Sequence, residues 1–523
     1  VKEIYGLRSI WTFSFLLGVC FKKRLALQAA FFIFAGVAQL VAQGASEQEL
    51  AAESRRAKEL MAAHQFAEAI PIYEKLVKAV PGNAGLLLNL AMAEELGGRP
   101  AASIPHFEAV LKAQPDNLPA LLSLSMARLE LNQPREAIPS LRKAIQLDPD
   151  NVNAIGMLAN AEMSQQLFDE AAQHYRELTM KDENDPRAWY GLAKAYESLS
   201  MKTFDRLNKA APESPYVAAL LADTRLERRQ FRSAFFFYRD AGQKMPDLPG
   251  IHAGLAEVYR ETGHADWASS ELQHEKALTA PDCHAKTAKC AFLNGKPMDA
   301  AKAAMQGAGP EDLFWATKAY NQLAGQAFDR LTQLPESVQI HAFKAQMYRD
   351  HRQLKEAADE WRAALKLSPD DREVKRQLAA ALFDAKDYQA TMPIAQEELT
   401  REPGAPDLNY LVGASLFRTE QPEKALPYLE TAVKGNPEIL PAYAALGLTL
   451  VALNRNADAI PYLRKALPLD DDGSIHYSLS RAYRAAGDTP HATEAMQEYQ
   501  KIQKQNQQID AELSKEAEIS APQ

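Results

Sequence analysis

The 523-residue chain carries 68 acidic against 59 basic side chains, a net charge of −9, with 47% hydrophobic and 24% charged residues. Acids and bases interleave, and no basic domain or stripe of the kind that binds nucleic acid stands out. Apolar material is ample for a core, as in an ordinary soluble protein.

The first 44 residues differ from the rest. Lys22, Lys23 and Arg24 precede an apolar run from Leu25 to Ala42, broken at Gln28 and Gln39, and Gly44, Ala45 and Ser46 follow. A basic patch, an apolar segment and a small-residue exit are the parts of a secretory signal, with a cut expected near Ala45. The run is also near the lower length for a membrane span, so a retained anchor fits the same residues. Either reading predicts an exported protein, periplasmic or extracellular. A second apolar run, Ile10 to Phe21, lies before the basic cluster and the chain opens on Val1, so a start further along is a further expectation. Cys20 is a poor lipidation site, since bulky Val19 precedes it and the basic cluster comes after it.

Beyond the leader the punctuation is periodic. Pro81, Pro115 and Pro149 are 34 residues apart, and so are Pro369, Pro403 and Pro437. Alanines keep the same step at Ala137 and Ala171, and at Ala425 and Ala459. Each period reads as two amphipathic helices: Tyr443, Leu446, Gly447 and Leu450 form one stripe, Asn454-Arg455-Asn456 breaks it, and Ala459, Ile460, Leu463, Ala466 and Leu467 form the next. Small residues at the eighth position (Ala57, Ala91, Ala159, Gly413, Gly447) and the twentieth (Ala69, Ala137, Ala171, Ala459) let helix backbones approach. Larger ones at the twenty-fourth (Tyr73, Phe107, Tyr175, Tyr238, Trp361) fill the space between units. A second proline recurs at the twenty-second position, as at Pro71, Pro105, Pro139 and Pro427, early in the second helix. There it forfeits little hydrogen bonding in the first turn, or bends the helix slightly if it falls beyond it.

These positions resemble the tetratricopeptide repeat, whose pattern of a large residue, Leu-Gly, Tyr, Ala, Phe, Ala and Pro they follow from Leu50 to about Tyr499. The resemblance implies an all-α superhelical solenoid of about fourteen two-helix units. The expected organisation is a leader over 1–44, repeat blocks over 45–199, 200–337 and 338–499, and a polar capping helix and tail over 500–523.

Three units break the pattern. After Trp189, Leu192 and Tyr196 no turn follows; Leu199, Phe204 and Leu207 continue one helical stripe to Pro212. The arrangement returns at Ala319-Tyr320, Leu323 and Phe328-Asp329-Arg330-Leu331, so A-Y-x-x-L-x4-F-D-R-L occurs twice, 124 residues apart. Both copies are expected to be fused long helices. The third irregular stretch, Asp282 to Pro310, holds Cys283, His284 and Cys290. Two cysteines seven residues apart on one helix would be about 10 Å apart, too far for a disulfide, so none is expected. The ligand count there is short for zinc, and no metal or cofactor is expected.

Catalysis is not expected either. No phosphate-binding loop, G-x-G-x-x-G, H-E-x-x-H or G-x-S-x-G falls in a workable context. His106, His174, His252, His264, His341 and His476 are scattered over different units, and Asp470-Asp471-Asp472 at a unit boundary reads as a helix cap. The resemblance implies instead a groove lined by first helices that holds a protein or peptide partner. At its second, fifth and ninth positions stand Asn153, Asn160, Arg187, Tyr190 and Lys194, a set suited to an extended acidic or carboxylate-bearing peptide. The family's clamp for chaperone tails is not supported, because Ser54 and Lys58 occupy its opening positions. The expected function is a non-catalytic binding scaffold; the alternative is a regulatory or targeting subunit of a separate glycosyltransferase or protease.

Overall fold

The computed structural model describes residues 47–284, 287–307, 309–515 and 518–522. The stretch 1–44, expected from the sequence to be a signal or anchor, lies outside them. Among the described residues the regular structure is helical, without a strand: twelve consecutive helix pairs and two long single helices, Pro186–Ala210 and Pro310–Thr332. No described helix is long and apolar enough to cross a membrane.

The chain divides into two compact units. One comprises Val1–Met201 with Tyr320–Phe328, the other Lys202–Ala319 with Asp329–Gln523. In both, each pair's first helix packs against its own second helix, and within a run of regular repeats also against the second helix before it, as Ala84–Leu96 does against Phe66–Ala79 and Pro406–Arg418 against Tyr388–Arg401.

The small and large positions do what their spacing predicts. Ala57, Ala69, Ala91 and Ala137 are fully buried, as are Tyr73 and Phe107, each ring burying on the order of 2–3 kcal/mol of apolar surface. A Cβ on Gly413 or Gly447 would come within 2.7 Å of Leu429 or 2.6 Å of Leu463, side chains of the same repeat's second helix. At the twenty-second position, Pro71, Pro105, Pro139 and Pro427 lie inside their helices, in the second turn rather than the first. All four face solvent, so the carbonyl each leaves without an N–H partner is open to water.

The turn within each pair is uniform although its sequence is not. The fifteenth residue sits in the left-handed region whether it is Gly98 (φ 75°), Gly263 (φ 88°), His64 (φ 59°), Gln166 (φ 59°), Arg229 (φ 56°) or Glu420 (φ 60°). One residue on, the N–H reaches back across the turn, as Gln133 does to the Arg128 carbonyl at 2.8 Å, closing the helix with a Schellman-type cap.

Both copies of the duplicated segment form single helices, of 25 and 23 residues. In the first unit Tyr190 meets Phe328 with ring centroids 6.4 Å apart, Tyr196 stacks on Tyr320 at 6.2 Å, and Ser200 donates to Asn321 at 2.5 Å. The pairings run in opposite chain directions. In the second unit, Thr317 and Thr203 share a hydrogen bond of 2.9 Å.

The expectation for the cysteines is corrected. The helix Thr287–Leu293 contains Cys290 but begins after Cys283, which lies in a turn. Freed from helical spacing, the two Cα atoms come to 5.5 Å and the sulfurs form a disulfide. Both thiols are thereby removed as metal ligands.

The expected polar cap is not a separate helix. Thr489–Lys515 runs unbroken for 27 residues, so the second helix of the last pair continues into it. At the preceding boundary the Asp residues cap as expected. Asp470 accepts the N–H groups of Ile475 and His476 at 2.8 Å each, and Asp472 that of Ser474 at 2.9 Å.

Candidate partner-binding surface

Successive first helices touch one another in the first unit, Ala84–Leu96 against Leu118–Glu130 and that against Val152–Ser164. The same holds in the second unit from Arg372–Asp384 through Pro406–Arg418 and Leu440–Ala452 to Ser474–Ala485. First helices thus form a continuous layer whose outward side chains are available to a partner.

The five residues singled out in the sequence all lie in the first unit, in different states. Asn153 is exposed. Asn160 is half-buried, and its side-chain oxygen accepts the Tyr175 hydroxyl at 2.5 Å. Arg187 is exposed and chelates Asp185 through Nε at 3.0 Å and Nη2 at 2.8 Å. Lys194 is paired with Glu197 at 2.6 Å. Tyr190 is 3% exposed, its ring packed on Phe328 as described. Two amides and two self-paired cations therefore reach the surface, while the aromatic ring is taken up by the long-helix contact.

What the sequence reading passed over sits at the same fifth and ninth positions two repeats earlier. Leu88 and Met92, then Leu122 and Met126, are half-buried apolar side chains on adjacent first helices. Their spacing of four residues, repeated after 34, was visible in the sequence. It merged there with the general apolar pattern of the helices.

The second unit holds a non-helical segment of the chain itself beside a first helix. Residues 518–522 have no regular structure, Ile519 and Pro522 are half-buried, and the Tyr259 hydroxyl donates to the Ser520 carbonyl at 2.7 Å. Tyr259 belongs to the first helix Ile251–Glu261, with Phe235 at 5.8 Å and Trp267 at 5.5 Å from its ring. Burial, with the Glu271 carboxylate nearby, pushes its hydroxyl up to about 12, so it stays a protonated donor at neutral pH.

Four of the six scattered histidines are paired with carboxylates across helices. His106 lies 2.7 Å from Glu94, and His174 2.7 Å from Glu162, two pairs 68 residues apart in sequence. His252 lies 2.5 Å from Glu271 and His341 2.6 Å from Glu360, each pair spanning 19 residues. Glu162 is fully buried and Glu94 and Glu271 nearly so, and an imidazole partner satisfies each carboxylate.

Two sequence patterns of the tetratricopeptide repeat family match, one over 128–195 and one over 54–117, 343–406, 410–474 and 444–507, together more than half of the chain. No curated protein matches. Among solved structures, MamA from Desulfovibrio magneticus RS-1 is similar at 23% identity and TM-score 0.29, over 33% of this chain and 97% of its own. YrrB, titled a TPR protein with an unusual peptide-binding site, is similar at 16% identity and TM-score 0.27, over 40% of this chain and 90% of its own. TTC0263, a thermophilic TPR protein of Thermus thermophilus, is similar at 19% identity and TM-score 0.27, over 34% of this chain and 98% of its own. The repeat spacing, the helix pairs and the matched patterns agree: the chain belongs to the tetratricopeptide repeat family.

Proposed function

We propose that the chain is a non-catalytic scaffold that holds extended protein segments on its first-helix layer, outside the cytoplasm. The fold in general suggests protein–protein interaction; the finer reading rests on the surface of the first unit. Leu88, Met92, Leu122 and Met126 offer half-open apolar positions, and Asn153, Asn160 and Lys194 lie on the next first helices. That order suits a segment with apolar side chains at one end and a carboxylate or other hydrogen-bond acceptor at the other. Because Lys194 and Arg187 are already paired, apolar contact supplies most of the attraction and the charges supply orientation. The 518–522 segment supports the reading as an example of a non-helical stretch whose backbone carbonyl is held by a first-helix side chain.

Peptide-array binding to the purified chain tests this. Apolar–acidic peptides are expected to bind, and Met92→Asp with Met126→Asp to weaken them by about tenfold or more, since each places a charge in the apolar stretch. Equal binding by parent and double variant overturns the assignment of the surface.

Export is supported by the leader-like residues 22–46 and by the Cys283–Cys290 disulfide, a bond that persists in oxidising compartments. Fractionation with thiol labelling tests it: the oxidised chain is expected in the envelope or medium. A reduced chain confined to the cytosolic fraction overturns it.

A further inference from the structure

We propose that His252, Glu271 and His274 form a binding site for one divalent transition-metal ion of the Zn2+ class. Their ligand atoms all lie within 4.8 Å of one another. His252 Nδ1 is 2.5 Å from Glu271 Oε2, and His274 Nδ1 is 4.0 Å from the same oxygen. His252 stands on the first turn of Ile251–Glu261, and Glu271 and His274 are one turn apart on Ala265–Ala277, so both point from one helix face toward the other helix.

The two helices are fixed relative to each other beside the cluster. Glu275, one turn beyond Glu271, accepts the N–H groups of Gly250 at 2.8 Å and Ala253 at 3.1 Å, which flank His252. The first-turn imidazole is thus held in place independently of any ion.

An internal comparison separates this cluster from an ordinary buried pair. His341 and Glu360 repeat the His–Glu contact at the same 19-residue spacing. There Lys344 approaches Glu360 at 3.5 Å and supplies a cation, and Ala363 stands where His274 does. In the His252 repeat the residue corresponding to Lys344 is Leu255. The 5%-exposed Glu271 therefore has imidazoles in place of an ammonium, and a second imidazole converges where a structural pair uses none. The Glu94–His106 pair shows that one imidazole suffices for a buried carboxylate, so the second imidazole at Glu271 is the feature that marks a ligand set.

Two imidazoles and one carboxylate are a donor set for Zn2+ and its neighbours, with the fourth position open to water or a partner's side chain. Ca2+ and Mg2+ prefer all-oxygen sets. Tetrahedral bonds of about 2.1 Å place ligand atoms about 3.4 Å apart. Closing the set needs a swing of the half-exposed His274 ring toward the pair and a widening of the 2.5 Å contact between His252 and Glu271.

The experiment is calorimetric titration of the full, disulfide-intact chain with Zn2+ after chelator stripping, beside His252→Ala, His274→Ala and His106→Ala. One ion per chain is expected, at least about tenfold weaker in His252→Ala and His274→Ala, since loss of a ligand exceeds loss of its outer support. His106→Ala, which removes an imidazole from the Glu94 pair, is expected to leave affinity unchanged. Circular dichroism controls for folding, and His274 is exposed enough for its variant to keep the parent helix content. Equal affinity in His274→Ala and parent, or no uptake by the parent, overturns the site.

Discussion

Tyr196 stacks on Tyr320, ring centroids 6.2 Å apart and planes inclined by 25°, and each is the tyrosine of one copy of the duplicated A-Y-x-x-L-x4-F-D-R-L segment. Within the first unit, equivalent tyrosines of the two copies therefore meet face to face. Burial raises both hydroxyls, Tyr320 to about 12 with Asp169 and Tyr196 adding to the effect. The F-D-R-L element thereby has a structural role: Phe328 is 8% exposed and meets Tyr190.

Removing either ring is expected to cost about 3 kcal/mol, the scale of a buried aromatic truncated to Ala. A double-mutant cycle on Tyr196→Ala and Tyr320→Ala should return a coupling of about 0.5–1.5 kcal/mol by denaturant unfolding. Strict additivity would show that the two rings are buried side by side without acting on each other.

Gly191 and Gly254 are both predicted to reject a methyl group. A Cβ at Gly191 would lie 2.2 Å from Tyr175 Cε1, and one at Gly254 2.2 Å from Tyr238 Cζ. Each tyrosine is pinned by its hydroxyl, Tyr175 to Asn160 at 2.5 Å and Tyr238 to Asp223 at 2.7 Å, so neither ring can move away cheaply. Gly→Ala at either position is expected to destabilise by about 1–3 kcal/mol. Gly325→Ala, in a helix interior with open space around its Cα, is expected to stabilise by up to about 1 kcal/mol. Thermal melts of the three variants check the contrast.

The left-handed fifteenth position predicts stabilising substitutions. Gln166, Arg229 and Glu420 hold φ near 60° with a Cβ that this region disfavours. Replacing Gln166 or Glu420 by Gly is expected to add about 0.5–1 kcal/mol, net of the greater unfolded-state entropy of glycine. A melting temperature that falls instead would mean that the side chain at the turn contributes more than the backbone strain costs.

Asp472 gives a pH dependence of known sign. The Ser474 side chain and N–H group hold its carboxyl below the ordinary range. A lowered folded-state value means that its contribution is complete above the ordinary carboxyl range and is lost as pH falls through the lowered value. Asp472→Ala is therefore expected to destabilise by about 0.5–1 kcal/mol at about pH 7. The difference from the parent should close as the pH is taken down toward about 2, measured by melting at each pH.

How far the sequence reached differs from feature to feature. The alanines at the eighth and twentieth positions and the aromatics at the twenty-fourth announced the helix pairs, because close helix packing tolerates few residue types there. The long helices were legible from the missing turn after Tyr196 and Tyr320. Of the expected surface residues, Asn153 is exposed and Lys194 half-buried, while Tyr190 is claimed by Phe328, a residue 138 positions away that no local periodicity reveals.

The sequence by itself determined the repeat, its length and its family, since a 34-residue period written in small residues and prolines is a local property of each repeat. Tertiary structure decided what depends on where a helix begins and on what returns from far along the chain. Cys283 and Cys290 are joined because the helix starts at Thr287. Tyr196 and Tyr320 meet because a stretch 124 residues further along the chain returns to the first unit. His252 reaches Glu271 and His274 because adjacent helices in a pair bring together side chains that spacing along either helix alone does not relate.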